Sequence, residues 1–282
     1  MLELLMKIKS ILNKKRLIFT VTSGRSGTAY LANILSYVPN VSSHHEPKPS
    51  FSKVMRSVQQ NKEIAYEFWV EKKLPSIAKD SSSIYIETTH MFCKGFIEPL
   101  LDLDIIPDLI LLTRPYRRIA LSFCRFGSIP GRTAQGLKYL HSPTDPDVLL
   151  LPDWQNLDDY QLCYWYCLEI AQRSHKYGNL FADLGARVVR VSLDEISTVS
   201  GFEKLLLGLN LQKPDGPKWA EYLEMKENRI NTRSHLNRPA RIPDDLDSAE
   251  KEVLGIIVKA NNISWNLAEE NILMPQCTHE EK

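Results

Sequence analysis

Apolar and polar positions along this chain alternate between two periods. The runs RLIFTV (16–21), SIYIE (83–87), DLILLTR (108–114) and ARVVRVSL (186–193) are short, rich in β-branched residues and bounded by polar positions, as buried strands are. Between them the period lengthens to that of a helix. Tyr30, Leu31, Ile34, Leu35 and Val38 recur at helical spacing directly after the first strand. PYRRIALSFCRF (115–126) reads as a helix with proline in its first turn, and the apolar face of DYQLCYWYCLEIAQRSHKYGNLFADLG (159–185) predicts a long helix stopped by Gly185. The opening MLELLMKIKSILNKKR sets Leu2, Leu5, Ile8 and Leu12 on one face, which predicts a short amphipathic helix packed on the body of the protein.

Strands alternating with helices imply a largely parallel sheet covered on both faces, with ligands gathering at the carboxyl edge of the strands. One stretch departs from the pattern. Residues 127–154 are interrupted by Pro130, Pro143, Pro146 and Pro152, and so long a non-repetitive segment inside a compact domain is read here as a substrate-covering insertion. With 282 residues at 43% hydrophobic content, one α/β domain over 1–282 is expected. Its core covers about 17–211, and 212–282 forms a C-terminal helical and basic segment.

The charges nearly cancel, 35 Lys and Arg against 34 Asp and Glu. No basic face for nucleic acid is therefore expected, and a small polar or anionic ligand is the natural partner. Five cysteines, odd in number and without C-x-x-C spacing, read as buried or free thiols of a reducing cytosol. No run approaches the ~20 apolar residues of a membrane-spanning helix. The opening also lacks the basic start and cleavage site of a secretory signal, so a cytoplasmic protein without an integral membrane segment is expected.

The chemistry starts at FTVTSGRSGTAYL (19–31). A strand, a glycine-bearing turn (Ser23, Gly24, Arg25, Ser26, Gly27, Thr28) and a helix start together present backbone N–H groups and a helix dipole to an anion. An ATP-type loop is not met: in the register that ends on Gly24 the first glycine is replaced by Phe19, and in the register that ends on Gly27 Thr28 stands in place of the lysine. Arg25 supplies instead a guanidinium suited to bidentate contact with a tetrahedral oxyanion. A second element, LILLTRPYRRIALSF, puts Arg114 at the end of a strand and Ser122 eight residues on, two turns into the next helix.

This pair of motifs, about ninety residues apart, resembles the sulfotransferases that use 3′-phosphoadenosine-5′-phosphosulfate (PAPS). The resemblance implies an α/β fold with a single P-loop-like three-layer domain, its central mainly parallel sheet flanked by helices. It further implies that Gly24 to Thr28 cradle the 5′-phosphosulfate and that Arg114 and Ser122 hold the 3′-phosphate. It extends more loosely over VRVSLDEI and FEKLLLGLNL, with Leu193 where tyrosine is usual and Arg25 where the cytosolic branch has lysine. In type it is similar to bacterial tailoring enzymes, including those acting on cyanobacterial alkaloid toxins. The acceptor implied is a small molecule sulfated on a hydroxyl or an amine nitrogen.

Such transfer needs a base, and two candidates follow strands. Glu46 lies in HHEPKPSF, similar to the EP or EE segment of several branches, where Pro47 and Pro49 stiffen its surroundings; His90 in ETTHMF resembles the KTH histidine of cytosolic enzymes. A histidine titrates near 6.5, whereas a glutamate must be raised from about 4.3 or act as a coupled acceptor, and the chemistry permits either. His44 and His45 adjoin Glu46 as acceptor-pocket candidates, and no metal set is evident around them. Glu87 reads as structural. Beyond the sheet, ENRINTRSHLNRPAR supplies Arg229 and Arg233, which in some relatives' manner would close over the 3′-phosphate. Two other readings stay open: a divergent nucleotide-dependent kinase, and a non-enzymatic module binding adenosine 3′,5′-bisphosphate.

Overall fold

The computed structural model describes residues 2–227 and 240–263. Two compact units are formed, one from the described parts of Met1–Arg114 and Lys176–Ser234, the other from those of Pro115–His175 and His235–Lys282.

The first unit holds the sheet. Its strands are β1 (Arg16–Val21), β2 (Val41–His45), β3 (Ile84–Thr88), β4 (Asp108–Thr113) and β5 (Val188–Ser192), in spatial order β2-β3-β1-β4-β5 and parallel in every pairing. The all-parallel α/β architecture is the one expected. Four of the strands match the apolar runs above to within two residues. The fifth, VSSHH, was not among them: it is half-exposed along its length and almost entirely polar, so it carries no hydrophobic period, and its pairing with β3 alone defines it. The chain runs from β1 out to the β2 edge, returns to β3, then crosses to β4. In parallel α/β sheets ligands gather at the carboxyl ends of the strands beside such a reversal.

Period-two alternation gives the sheet two different faces. Ile18, Ile86, Ile110, Leu112 and Val191 pack in one aliphatic cluster with Leu31, Ile34 and Leu35 of the first helix after β1, and with Leu193, Phe202, Leu205 and Tyr222. On the other face Phe19 is fully buried among Phe92, Trp69, Tyr85 and Phe51, with ring centroids 4.6, 5.9, 6.4 and 6.5 Å away. The residue that spoils the ATP-type loop is thus the hub of an aromatic core. The N-terminal helix, α1 (Leu2–Leu12), buries Ile8 and Leu12 and pairs Lys9 with Asp104, so it packs on the body as expected.

The second unit contains the whole of 127–154, which is a folded segment. Thr133 caps the helix Ala134–Tyr139 by accepting from the Gly136 N–H at 3.0 Å. Arg132 reaches Asp159 at 2.6 Å, while the Leu149 N–H donates to Glu169 at 2.7 Å and its carbonyl accepts from the Trp165 indole at 3.1 Å. None of the four described cysteines is in a disulfide and each is buried, Cys163 and Cys167 among them; Cys277 lies outside the described residues. Among the described residues, no helix is long and apolar enough to cross a membrane.

Candidate active site

The loop after β1 is shaped by three positive φ angles in four residues: 82° at Gly24, 55° at Arg25 and 99° at Gly27. Arg25 is the notable one, since a side chain in the left-handed region costs energy that the surroundings must supply. Part of that support comes from Arg114, whose Nη1 donates to the Arg25 carbonyl at 3.0 Å. Within the loop, Ser26 is fully buried with its hydroxyl 2.5 Å from that of Thr22. Ser23 is buried as well and donates to the Gly24 carbonyl at 3.0 Å. Gly27 is the N-cap of α2 (Thr28–Leu35) and offers no side chain to its first turn, so no capping side chain competes there for an anion. A Cβ at Gly27 would lie 2.5 Å from Leu193 Cδ1. Leu193, where the resemblance leads one to expect tyrosine, therefore seals the loop from the aliphatic face.

Three segments meet this loop. Thr20 both donates to the Thr89 carbonyl and accepts from its N–H, each at 2.7 Å, tying the end of β1 to the stretch after β3. That stretch delivers His90 against the loop: a Cβ at Gly24 would sit 3.0 Å from His90 Cγ. From the edge strand, Glu46 continues the pairing by donating its N–H to the Thr88 carbonyl at 3.3 Å, then turns with φ 48°. Its Oε1 comes within 3.5 Å of His90 Nε2. The two sequence candidates for the base are neighbours rather than rivals at separate places.

His90 is held from the other side. Its Nδ1 lies 3.0 Å from Nζ of Lys94, a fully buried lysine whose carbonyl is bonded by Gln59 at 2.9 Å. Burial first, then the positive charges of Lys94, His45 and Arg25, keep the His90 imidazole from protonating until far below its ordinary range. Sequence reasoning missed Lys94. Lysine normally stays in water, so a lysine four residues after the histidine announces nothing until its burial is known.

A second lysine was also missed. Lys73 is fully buried and pairs with Glu87 at 2.7 Å, while Tyr85 donates to the same carboxylate at 2.8 Å. Desolvation pushes the Lys73 pKa down and that of Glu87 up, each opposed by the partner's charge. Nζ of Lys73 also donates to the Pro49 carbonyl at 3.0 Å and approaches that of Pro47 at 3.5 Å. The pair thus holds the segment that carries Glu46.

The two adjacent histidines part company, because neighbouring strand residues face opposite sides. His45 lies 3.1 Å from the Thr88 carbonyl through Nδ1, which must carry a proton there. His44 is instead 2.7 Å from Ser42 and 3.4 Å from Asp80, with its ring over Tyr85 at 5.1 Å. The first unit therefore brings together Arg25, Glu46, His45, His90 and Arg114, and turns His44 to other partners. Ser122 is buried on the helix Tyr116–Phe126, which belongs to the second unit. Arg229 and Arg233 lie outside the described residues.

No protein-family model matches the sequence, and no curated protein matches it. Among solved structures, mouse sulfotransferase SULT7A1 complexed with PAP aligns over 94% of this chain and 92% of that one, with TM-score 0.50 at 11% identity. The sulfotransferase domain from the curacin biosynthetic pathway aligns over 93% and 92% with TM-score 0.46 at 14% identity. What this chain shares with the mouse structure is its fold.

Proposed function

We propose that this chain is a PAPS-dependent sulfotransferase that moves sulfonate to a hydroxyl or amine nitrogen of a small molecule. The observation that carries the reading is the junction at Gly24. There the anion-type loop touches His90, which in turn faces Glu46 at 3.5 Å, so an oxyanion held by the loop and a proton acceptor share one place. The shared fold and the sequence resemblance support it.

The residues present fit a phosphosulfate. Gly24 to Thr28 offer backbone N–H groups at an uncapped helix start, and Arg25 adds a guanidinium for the charge that spreads over the sulfonate oxygens. The resemblance assigns Arg114 and Ser122, and with them Arg229 and Arg233, to the 3′-phosphate. Glu46 and His90 serve proton transfer, and His45 lines the acceptor side. His44, occupied with Ser42 and Asp80, supports its strand. An alkaloid-type natural product in the cytoplasm is the acceptor class this reading takes from the resemblance. Calorimetry tests the reading with adenosine 3′,5′-bisphosphate against ADP and ATP. The bisphosphate should bind preferentially, and Arg25→Ala and Arg114→Ala should each weaken it more than tenfold, about 1.4 kcal/mol. Preference for ATP, or indifference to both arginines, overturns the assignment.

A further inference from the structure

The proton positions on His90 decide which of the two neighbours is the base. A lysine ammonium has three donors and no acceptor, so the Nδ1 that lies 3.0 Å from Lys94 Nζ must present its lone pair. A neutral imidazole with Nδ1 unprotonated carries its proton on Nε2. That nitrogen is the one 3.5 Å from Glu46 Oε1, where only an N–H is complementary to a carboxylate. The ring has little freedom to exchange its two nitrogens. Gly24 lies against Cγ, the side chain retains 13% exposure, and Lys94 is fully buried with its backbone carbonyl bonded by Gln59.

We propose that Lys94 locks His90 as an Nε2–H donor toward Glu46, so that Glu46 and not His90 takes the acceptor's proton. This rests on the sulfotransfer reading and divides its labour. Lys94 is a positioning residue that acts through His90. Glu46 accepts the proton from the acceptor O–H or N–H as the new bond to sulfur forms. The bond between sulfur and the 5′-phosphate oxygen breaks, and its electron pair stays on the departing phosphate. His90 orients the Glu46 carboxylate by its N–H, an approach that is long in the free protein and tightens when substrates are bound, as catalytic hydrogen bonds do. The other charged or titratable neighbours of His90 are Arg25 and His45, and neither reverses the assignment. Both disfavour a cationic ring, and the ring already has a cation at Nδ1.

Long-range ¹H–¹⁵N spectra of the full chain read the tautomer directly, with the His90 signal identified by its loss in His90→Gln. The neutral Nε2–H pattern should be present at neutral pH and should persist as the pH falls below the ordinary histidine range. In Lys94→Met it should give way to mixed tautomers or a cation. An Nδ1–H or cationic His90 in the wild type at neutral pH overturns the lock, and this measurement stands even if Lys94→Met does not fold. Turnover of PAPS to adenosine 3′,5′-bisphosphate, with water or 4-nitrophenol as acceptor, then compares two isosteric variants. Glu46→Gln should lose about 10²- to 10⁴-fold, the usual range for a general base. His90→Gln keeps an N–H near the place of Nε2 and should lose far less, while equal losses would make His90 the base. Lys94→Met should lower kcat with the bisphosphate Kd unchanged. Where no turnover is seen, the spectrum alone decides the lock. Failure to bind the bisphosphate beside a persistent Nε2–H pattern would overturn the sulfotransfer reading and leave the lock standing.

Discussion

The two faces of the sheet do different work for the same edge. On the aliphatic face, Ile18, Ile110 and Val191 meet α2 and the helices after β5, and that packing reaches the site through Leu193, which closes on Gly27. On the other face an aromatic cluster surrounds Phe19 and encloses the Lys73–Glu87 pair, and that packing reaches the site through the carbonyls of Pro47 and Pro49. One face supports the anion loop and the other supports the base. Non-directional contacts suffice for the first, because a loop of N–H groups needs only its backbone path. The second positions a single carboxylate, and a buried ammonium with several acceptors gives the directionality that apolar packing lacks.

Cutting each face should therefore have unequal consequences. The largest effect is expected for Lys73→Met, which leaves the Glu87 carboxylate buried without its cation and should cost about 3–5 kcal/mol in urea denaturation. Ile110→Val on the aliphatic face should cost about 0.5–1.5 kcal/mol. Adding Glu87→Met to Lys73→Met should restore most of the stability but not the turnover, since Pro47 and Pro49 still lack their donor. Full recovery of both would mean that the pair does not position Glu46.

Next in size is Gly27→Ala. Its new methyl would meet Leu193 at 2.5 Å in a backbone conformation of φ 99°, and a strain of about 1–3 kcal/mol is expected together with weaker binding of adenosine 3′,5′-bisphosphate. A second change, Leu193→Ala, should relieve the clash and leave the φ cost, so partial recovery by calorimetry is the expected result. No recovery would show that Leu193 is not what limits the loop.

The smallest effect near neutrality comes from His90. Its folded-state pKa lies well below the unfolded value of about 6.5, so the unfolded chain takes up the proton first as the pH falls. The stability it contributes is complete above about pH 6.5 and is lost as the pH drops from there toward the folded value. Urea midpoints of wild type and His90→Gln, compared on either side of that pH, should show the steeper acid loss in the wild type. Parallel curves would mean that His90 titrates normally.

Much of this was legible beforehand because hydrophobic period carries burial. The strands around Phe19, Ile86, Ile110 and Val191, the helix after the loop and the long helix ended by Gly185, whose φ is 79°, each follow from local pattern. So does the loop with Arg25, Ser26 and Gly27, since glycine spacing and a following helix are local features too. The edge strand VSSHH was illegible, because a half-exposed strand defined by its neighbour leaves no apolar trace.

Local chemistry likewise named Arg25 and Arg114, and the family resemblance named Glu46 and His90, one at a time. Only the tertiary structure decided that Glu46 faces His90, that Arg114 grips the Arg25 carbonyl, and that two lysines leave water to hold them. The physical reason is that Lys73 and Lys94 look in sequence like any solvated cation. The role of Lys94 arises from burial beside a histidine four residues away, and that of Lys73 from burial together with partners that the passage of the chain between β2 and β3 brings close, which no run of neighbouring residues encodes.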